Sequence, residues 1–266
     1  MTDAKSILSD VYQLADTWLE LSFEAKHKPL YQHRTAALSL KDRATIPSSK
    51  HFLLATYKQI DNNWNDAVKA GSYSPSRENW RFKPRPDISP KNTSPEVRLE
   101  RAIVSVANNH WANQIPTSSG LVGPQSDKVR NIDLVYRDDN QNFTLIELKV
   151  KSNTPLFAAI EILTYGLLFA WSRNNADHLS YDSSVQPLLA AKSINLCVLA
   201  PKEYYKDFKL KKLGESINLG LSEAKGIFGI PYTFEFTQFP KPLKSDDSPE
   251  QLLENAEQRE AIFSAA

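Results

Sequence analysis

The sequence predicts an α/β fold, a central sheet flanked by helices, behind a helical N-terminal region. Three observations carry this. From residue 94 the patterned segments run helix, two or three strands, helix, strand, helix, an alternating order that builds a helix-flanked sheet. Two of those helices open on the same signal, Ser94-Pro95 and Thr154-Pro155, a capping hydroxyl followed by proline in the first turn. SINLCVLA, residues 193–200, is a continuous apolar run of strand length, as expected of a strand buried on both faces.

Over residues 5–25, Ile7, Val11, Leu14, Trp18 and Leu21 recur at helical spacing, and the spacing predicts one helix. A second helix is expected from His51 to Ala70 through Phe52, Leu53, Tyr57, Ile60 and Trp64. Between Gly71 and Pro95 the chain turns rich in Pro, Ser, Asn and Arg, which reads as a linker or an extended wrapping loop. The expected division is a helical region with a Pro-rich connector over 1–90, then an α/β core with a C-terminal helix over 91–266. The helix opened by Ser94 is expected to reach about Asn109, with Val97, Val104, Ala107 and Trp111 facing inward. Glu100 falls on that apolar face, where an unpaired charge is expensive. The ordinary explanation is that it lies at the edge of the stripe and pairs with Arg98 or Arg101.

Residues 130–152, RNIDLVYRDDNQNFTLIELKVKS, read as a β-hairpin around DDNQN. If Arg137 pairs with Phe143 and Val135 with Leu145, Asp133 falls opposite Glu147. Directly opposed residues share a face with β-carbons about 5 Å apart, and Lys149, two residues on, projects from that face as well. Two carboxylates so close repel unless a cation lies between them. Oxygen ligands without His or Cys suit Mg²⁺ or Mn²⁺, and a neighbouring lysine can orient or deprotonate a water and stabilise developing negative charge. The competing explanation is an edge hairpin with its charges in water, for which an E-x-K pair is ordinary. Further on, the segment PLFAAIEILTYGLLFAW reads as a buried helix rather than a membrane span, YTFEFTQF at 232–239 alternates as a strand, and the C-terminal stretch is an acidic amphipathic helix.

Bulk composition narrows the function. With 266 residues, 41% hydrophobic and 24% charged, the chain has the make-up of an ordinary globular protein. Lys and Arg number 32 against 31 Asp and Glu, so any grip on a polyanion must come from local patches. The single Cys197 forms no internal disulfide, and no Cys or His spacing suggests zinc. The opening MTDAKSILSD lacks a signal-peptide pattern, so a soluble cytoplasmic protein is expected. There is no P-loop, no G-x-S-x-G elbow and no dinucleotide fingerprint.

Asp133, then Glu147-Leu148-Lys149, preceded by a helix bearing Glu100 and followed by the helix PLFAAIEILTYG, resembles the PD-(D/E)XK nuclease superfamily over about residues 94–200. The resemblance implies a restriction-endonuclease-like core, a mixed sheet flanked by helices. It implies that Asp133 and Glu147 bind Mg²⁺ or Mn²⁺, that Glu100 completes the metal shell, and that Lys149 serves the nucleophilic water. Two positions depart from the family pattern: Ile132 stands where the family name has proline, and Glu161 with Tyr165 occupies the spacing at which exonuclease-like branches carry Gln and Tyr.

A nuclease needs phosphate grips, and Lys128, Arg130 and Lys151 flank the site. NWRFKPRP, residues 79–86, interleaves Trp80 and Phe82 with Arg81, Lys83 and Arg85, a mix that pairs phosphates and stacks bases. KHKPLYQHR at 26–34 and KEYYKDFKLKK at 202–212 are also basic and aromatic. The function implied is a Mg²⁺-dependent DNA endonuclease in restriction, defence or DNA processing. Cutting both strands at one place needs two sites, which a homodimer supplies. The alternatives are a non-catalytic nuclease-fold binding module and an RNA-cleaving effector with the same site.

Overall fold

The protein is described by a computed structural model over residues 6–24, 28–89 and 91–263. Among these residues the helices are α1 (Tyr12–Trp18), α2 (Arg34–Ser39), α3 (Lys50–Lys69), α4 (Pro95–Val106), α5 (Pro155–Asn174), α6 (Ala176–Leu179), α7 (Lys202–Tyr205), α8 (Lys211–Glu223) and α9 (Pro249–Glu257). The strands are β1 (Trp111–Pro116), β2 (Asn131–Arg137), β3 (Asn142–Leu148), β4 (Ser193–Ala200), β5 (Tyr232–Gln238) and the short β6 (Glu260–Ala261).

They form one mixed six-stranded sheet in the order β1-β2-β3-β4-β5-β6. β1, β2 and β3 are antiparallel neighbours, β3, β4 and β5 run parallel, and β6 returns antiparallel on β5. Parallel neighbours need crossovers, and α5 and α8 supply them. This is an α/β fold with helices on both faces of the sheet. The hairpin register is the expected one, with Arg137 opposite Phe143 and Val135 opposite Leu145.

One face of the sheet is covered by α5, and the N-terminal helices pack outside it in the same hydrophobic cluster, through Val11, Leu53, Ile60 and Trp64. The other face is covered by α4 and α9 over Leu134, Ile146, Leu148 and Leu199. Helix α5 is the one helix among the described residues long and apolar enough to cross a membrane, and 89% of its most apolar window is buried inside the protein. It is the central core helix, wedged between sheet and α3. Both expected helix starts are used: Ser94 and Thr154 accept hydrogen bonds from the backbone N–H groups of Val97 and Phe157 (3.4 and 3.2 Å).

Three expectations need correction. The single helix over 5–25 is instead a turn followed by the short α1, because Asp10 and Glu20 adopt left-handed φ values of 64° and 47° that interrupt it. The apolar period survives: Ile7, Val11 and Trp18 are buried. Second, α4 stops at Val106 and Ala107 is extended, so Trp111 faces inward from strand β1 rather than from the helix. Third, Trp80 is fully buried, edge-on to Phe169, and therefore cannot stack on a base. Its backbone N–H donates to Pro116 O (2.8 Å), which ties the connector to the edge strand β1. Trp80→Ala is expected to cost about 3–5 kcal/mol in a urea unfolding titration, the usual range for emptying a large aromatic site.

Candidate active site

The site lies where β1, β2 and β3 meet the N-terminal ends of α4 and α5. The β1–β2 ladder pairs Asn113 with Leu134 and Ile115 with Ile132, leaving Gln114 and Asp133 unpaired where they face each other. Gln114 takes φ 48°, a left-handed conformation that non-glycine residues rarely adopt. Pairing of β2 with β3 likewise begins only at Leu134–Ile146. Asp133 and Glu147 thus sit one step beyond the ladder rather than as a regular pair. The irregularity frees the Asp133 carboxylate, whose Oδ2 accepts the N–H of Leu148 (3.0 Å).

Glu147 is the last-but-one residue of β3 and points toward α5. Lys149 follows the strand, its backbone N–H held by Leu199 O of β4 (3.0 Å). Both side chains are buried, and Lys149 Nζ donates to Glu147 Oε1 (2.5 Å) and Glu161 Oε2 (3.3 Å). The ring of Phe157 lies 5.8 Å from the ammonium. Glu161, one turn further along α5, also accepts a long hydrogen bond from Tyr165 Oη (3.5 Å). Glu100 is buried in α4, and its Oε2 accepts from Gln114 Nε2 (2.9 Å). Its Oε1 has no hydrogen-bond partner, and Arg101 Nε, at 3.7 Å, is too far to supply one. Arg98, the other expected partner, is turned to Asn92 O instead.

The electrostatics follow from burial and crowding. Burial and the charge of Asp133 push the Glu100 carboxyl up to about 8. Burial raises Asp133 to about 6 despite Lys149 and the Leu148 N–H. Glu147 is pushed well above the ordinary carboxylate range by burial, then by Asp133 and Glu161. Burial works against the Lys149 ammonium, but the carboxylates of Glu147, Glu161 and Asp133 outweigh it and hold its pKa above the usual lysine value. Glu96 behaves differently. Burial opposes its charge, yet hydrogen bonds from its own N–H, Val150 N–H, Ser152 and Ser94 bring it down to about 2, so it anchors the loop after β3.

A carboxyl whose folded pKa lies above its unfolded value holds extra protons in the folded state, so stability falls as pH rises between the two values. For Glu100 that window runs from about 4.5 to about 8. In EDTA the melting temperature is therefore expected to fall between those values, and Glu100→Gln to flatten the fall. Calorimetric scans across that range check it.

Among the described residues, no group of three His, Cys, Asp or Glu side chains stands ready as a metal site. Lys149, Leu148 N–H and Gln114 engage the carboxylates instead. The donor set nevertheless suits a hard divalent cation. It is all oxygen, one ammonium faces the carboxylates of Asp133, Glu147 and Glu161, and Glu100 keeps an orphaned buried oxygen.

The sequence-named residues are not all brought together. Asp133, Glu147 and Lys149 are brought together, and Glu100 neighbours Asp133. Arg130 lies beside them, gripping Asp127 and Tyr12 Oη (both 2.7 Å). Lys151 is exposed just past Lys149, and Lys128 is exposed and bonded to Gln125. Arg81 and Arg85 are both drawn to Glu78 (2.7 and 3.3 Å), and Lys83 is exposed nearby. Phe82 packs on Phe143, at the end of β3 away from Lys149. In the 26–34 segment, Lys26 and His27 lie outside the described residues, and Tyr31 is buried against Phe157 and Tyr12. Gln114 and the Lys149 contact of Glu161 were not anticipated. A lone carboxylate in a helix otherwise apolar through 17 residues is the signal for Glu161, whereas nothing marks Gln114. Comparison with protein-family models, with curated proteins and with solved structures finds no match to this chain.

Proposed function

We propose that the protein is a metal-dependent nuclease of the PD-(D/E)XK type that hydrolyses DNA phosphodiester bonds internally. The observation that carries this reading is the buried Lys149 ammonium held against Glu147 and Glu161 with the Asp133 carboxylate beside them, while Glu100, buried with an unpartnered oxygen, neighbours Asp133. Asp133, Glu147 and Glu100 would hold Mg²⁺ or Mn²⁺. Such an ion supplies charge neutralisation at the phosphate and a more acidic bound water. Lys149 keeps its proton at neutral pH, so its part is to orient the attacking water and to stabilise negative charge building on the phosphoryl oxygens. Glu161 and Phe157 fix where the ammonium points, and Gln114 fixes Glu100. Arg130, already oriented by Asp127 and Tyr12, is a guanidinium that can take a phosphate. In the hydrolysis the water oxygen bonds to phosphorus as it gives up a proton to solvent, the opposite P–O bond breaks, and the leaving alkoxide takes a proton from solvent.

A second reading is a nuclease-fold binding module in which the Lys149–Glu147–Glu161 cluster is structural, and the close Lys149–Glu147 pair favours it. What argues against it is that one ammonium faces three carboxyl groups, which can all ionise only with a further cation among them. An RNA-cleaving effector shares the site. The test is incubation of purified protein with supercoiled plasmid, linear duplex, single-stranded DNA and RNA, in Mg²⁺, Mn²⁺ or EDTA. Metal-dependent cutting of DNA is the expected result. Cutting of RNA alone moves the assignment to the effector, and intact substrates throughout favour the binding module. A cytoplasmic location and a role in defence or DNA processing are part of the same proposal.

A further inference from the structure

A groove leads away from the candidate site along α7 and the segment preceding α8. Its near end is lined by Val150, Lys151, Asn153 and Tyr204, directly after Lys149 in the chain. Its far end, about 640 Å³, has an apolar floor of Leu40, Leu210, Ile262 and Phe263. The two ends adjoin at Lys206 and Phe208, which line both. Lys41, Lys151, Lys202, Lys206, Lys209, Lys211 and Lys212 line it, and all are exposed. Among the described residues only Lys211 of these is in an ion pair, a long one to Glu215 (3.8 Å). Asp207, an acid on this wall, is occupied by Arg34 (2.6 Å), whose guanidinium lies 5.1 Å from the centre of the Phe208 ring. On a chain of net charge +1 this is a strong local concentration of cations.

The groove is two things at once, a rim of flexible ammonium groups and a floor of aliphatic and aromatic side chains. A duplex offers phosphates on its outside and hides its base faces, so it would leave the floor uncovered. An unpaired strand offers both surfaces. Resting on the DNA-nuclease reading, we propose that this groove carries the unpaired DNA strand on one side of the bond to be cut, its phosphates on the lysine rim and its bases on the floor, with Phe208 at the bend. The preferred substrate is then DNA with a single-stranded segment at the cleavage point, such as a fork, flap or gap.

The experiment is fluorescence anisotropy of a labelled 20-nucleotide single strand and its matched duplex, in EDTA, with the full chain. It compares wild type, the groove-rim variant Lys41→Ala/Lys206→Ala/Lys209→Ala, and Phe208→Leu. Wild type is expected to bind the single strand more tightly than the duplex. The triple variant is expected to bind the single strand at least ~10-fold more weakly, with a log–log salt slope shallower by about 2, at roughly 0.7 per lost single-strand phosphate contact. Phe208→Leu is expected to weaken the single strand by about 10-fold, the usual scale of one lost stacking contact, and to leave the duplex unchanged. Equal single-strand affinity in wild type and triple variant overturns the groove while leaving the nuclease reading standing. Tighter binding of the duplex by wild type overturns the single-strand assignment. Binding of anionic phosphatidylserine vesicles but of neither DNA form overturns both.

Discussion

Lys149→Ala is expected to slow metal-dependent DNA cleavage by about 10²–10³-fold, the usual cost of removing one preorganised charge-stabilising group. The ammonium is buried and faces Glu147 and Glu161, and the described contacts of both carboxylates offer no other cation to replace it. The substitution should therefore also destabilise the metal-free fold, by about 3–5 kcal/mol, because it strands buried carboxylates without their partner. The two effects separate by condition. Saturating Mn²⁺ restores part of the melting temperature but not the rate. Lys149→Arg keeps the charge, so it should recover most of the stability while leaving cleavage impaired, since a planar, delocalised guanidinium does not set a compact point charge where the ammonium sits. Melting curves with and without Mn²⁺, run beside single-turnover cleavage, check this.

Asp133→Asn is expected to act in opposite directions on activity and stability. Cleavage should be lost, because the asparagine amide is a poor replacement for a metal-binding carboxylate. Stability at pH 8 without metal should rise, by about 2 kcal/mol. The sign follows from the Asp133 pKa, raised to about 6 from 3.8: stability falls as pH rises through that window, and by pH 8 the ionised carboxylate imposes its full penalty beside Glu147. The substituted amide carries no such charge, and its oxygen can still accept the Leu148 N–H. A purely structural aspartate implies the reverse, a loss of stability on substitution. Urea titrations at pH 5 and pH 8 in EDTA distinguish the two, because the gain should shrink at the lower pH.

Much of the core was legible because its signals are local. Ser94-Pro95 and Thr154-Pro155 mark helix starts through capping chemistry that needs no tertiary context, and SINLCVLA matches β4 residue for residue. The hairpin register followed from period-two patterning and the DDNQN turn. What stayed hidden depends on the folded environment. β1 escaped because WANQIP does not alternate and because Trp111 also fits the helical period of α4. The left-handed Gln114 that breaks the ladder opposite Asp133 carries no glycine to announce it. The shortening of α1 turns on the backbone of Asp10 and Glu20, where composition and period still favour helix. In the candidate site, Glu100 was noticed because a carboxylate interrupts an apolar face. Its partner Gln114 was not, since a glutamine in a loop-like stretch is unremarked. The basic segment NWRFKPRP had the right composition for stacking, but Trp80 went into the core and two of its arginines to Glu78, while the lysines of residues 202–212 border the groove beside the site.

The central claim is that the cluster of Asp133, Glu147 and Glu100 is a divalent-metal site, and calorimetric titration of the purified protein with Mn²⁺ at pH 8 tests it most directly. Saturable binding in wild type, lost in Asp133→Asn and accompanied by a rise in wild-type melting temperature, is the expected result. Absence of binding heat and of any Mn²⁺-dependent shift in melting temperature in the wild type would contradict it, and the buried Lys149–Glu147–Glu161 network would then be a structural ion cluster.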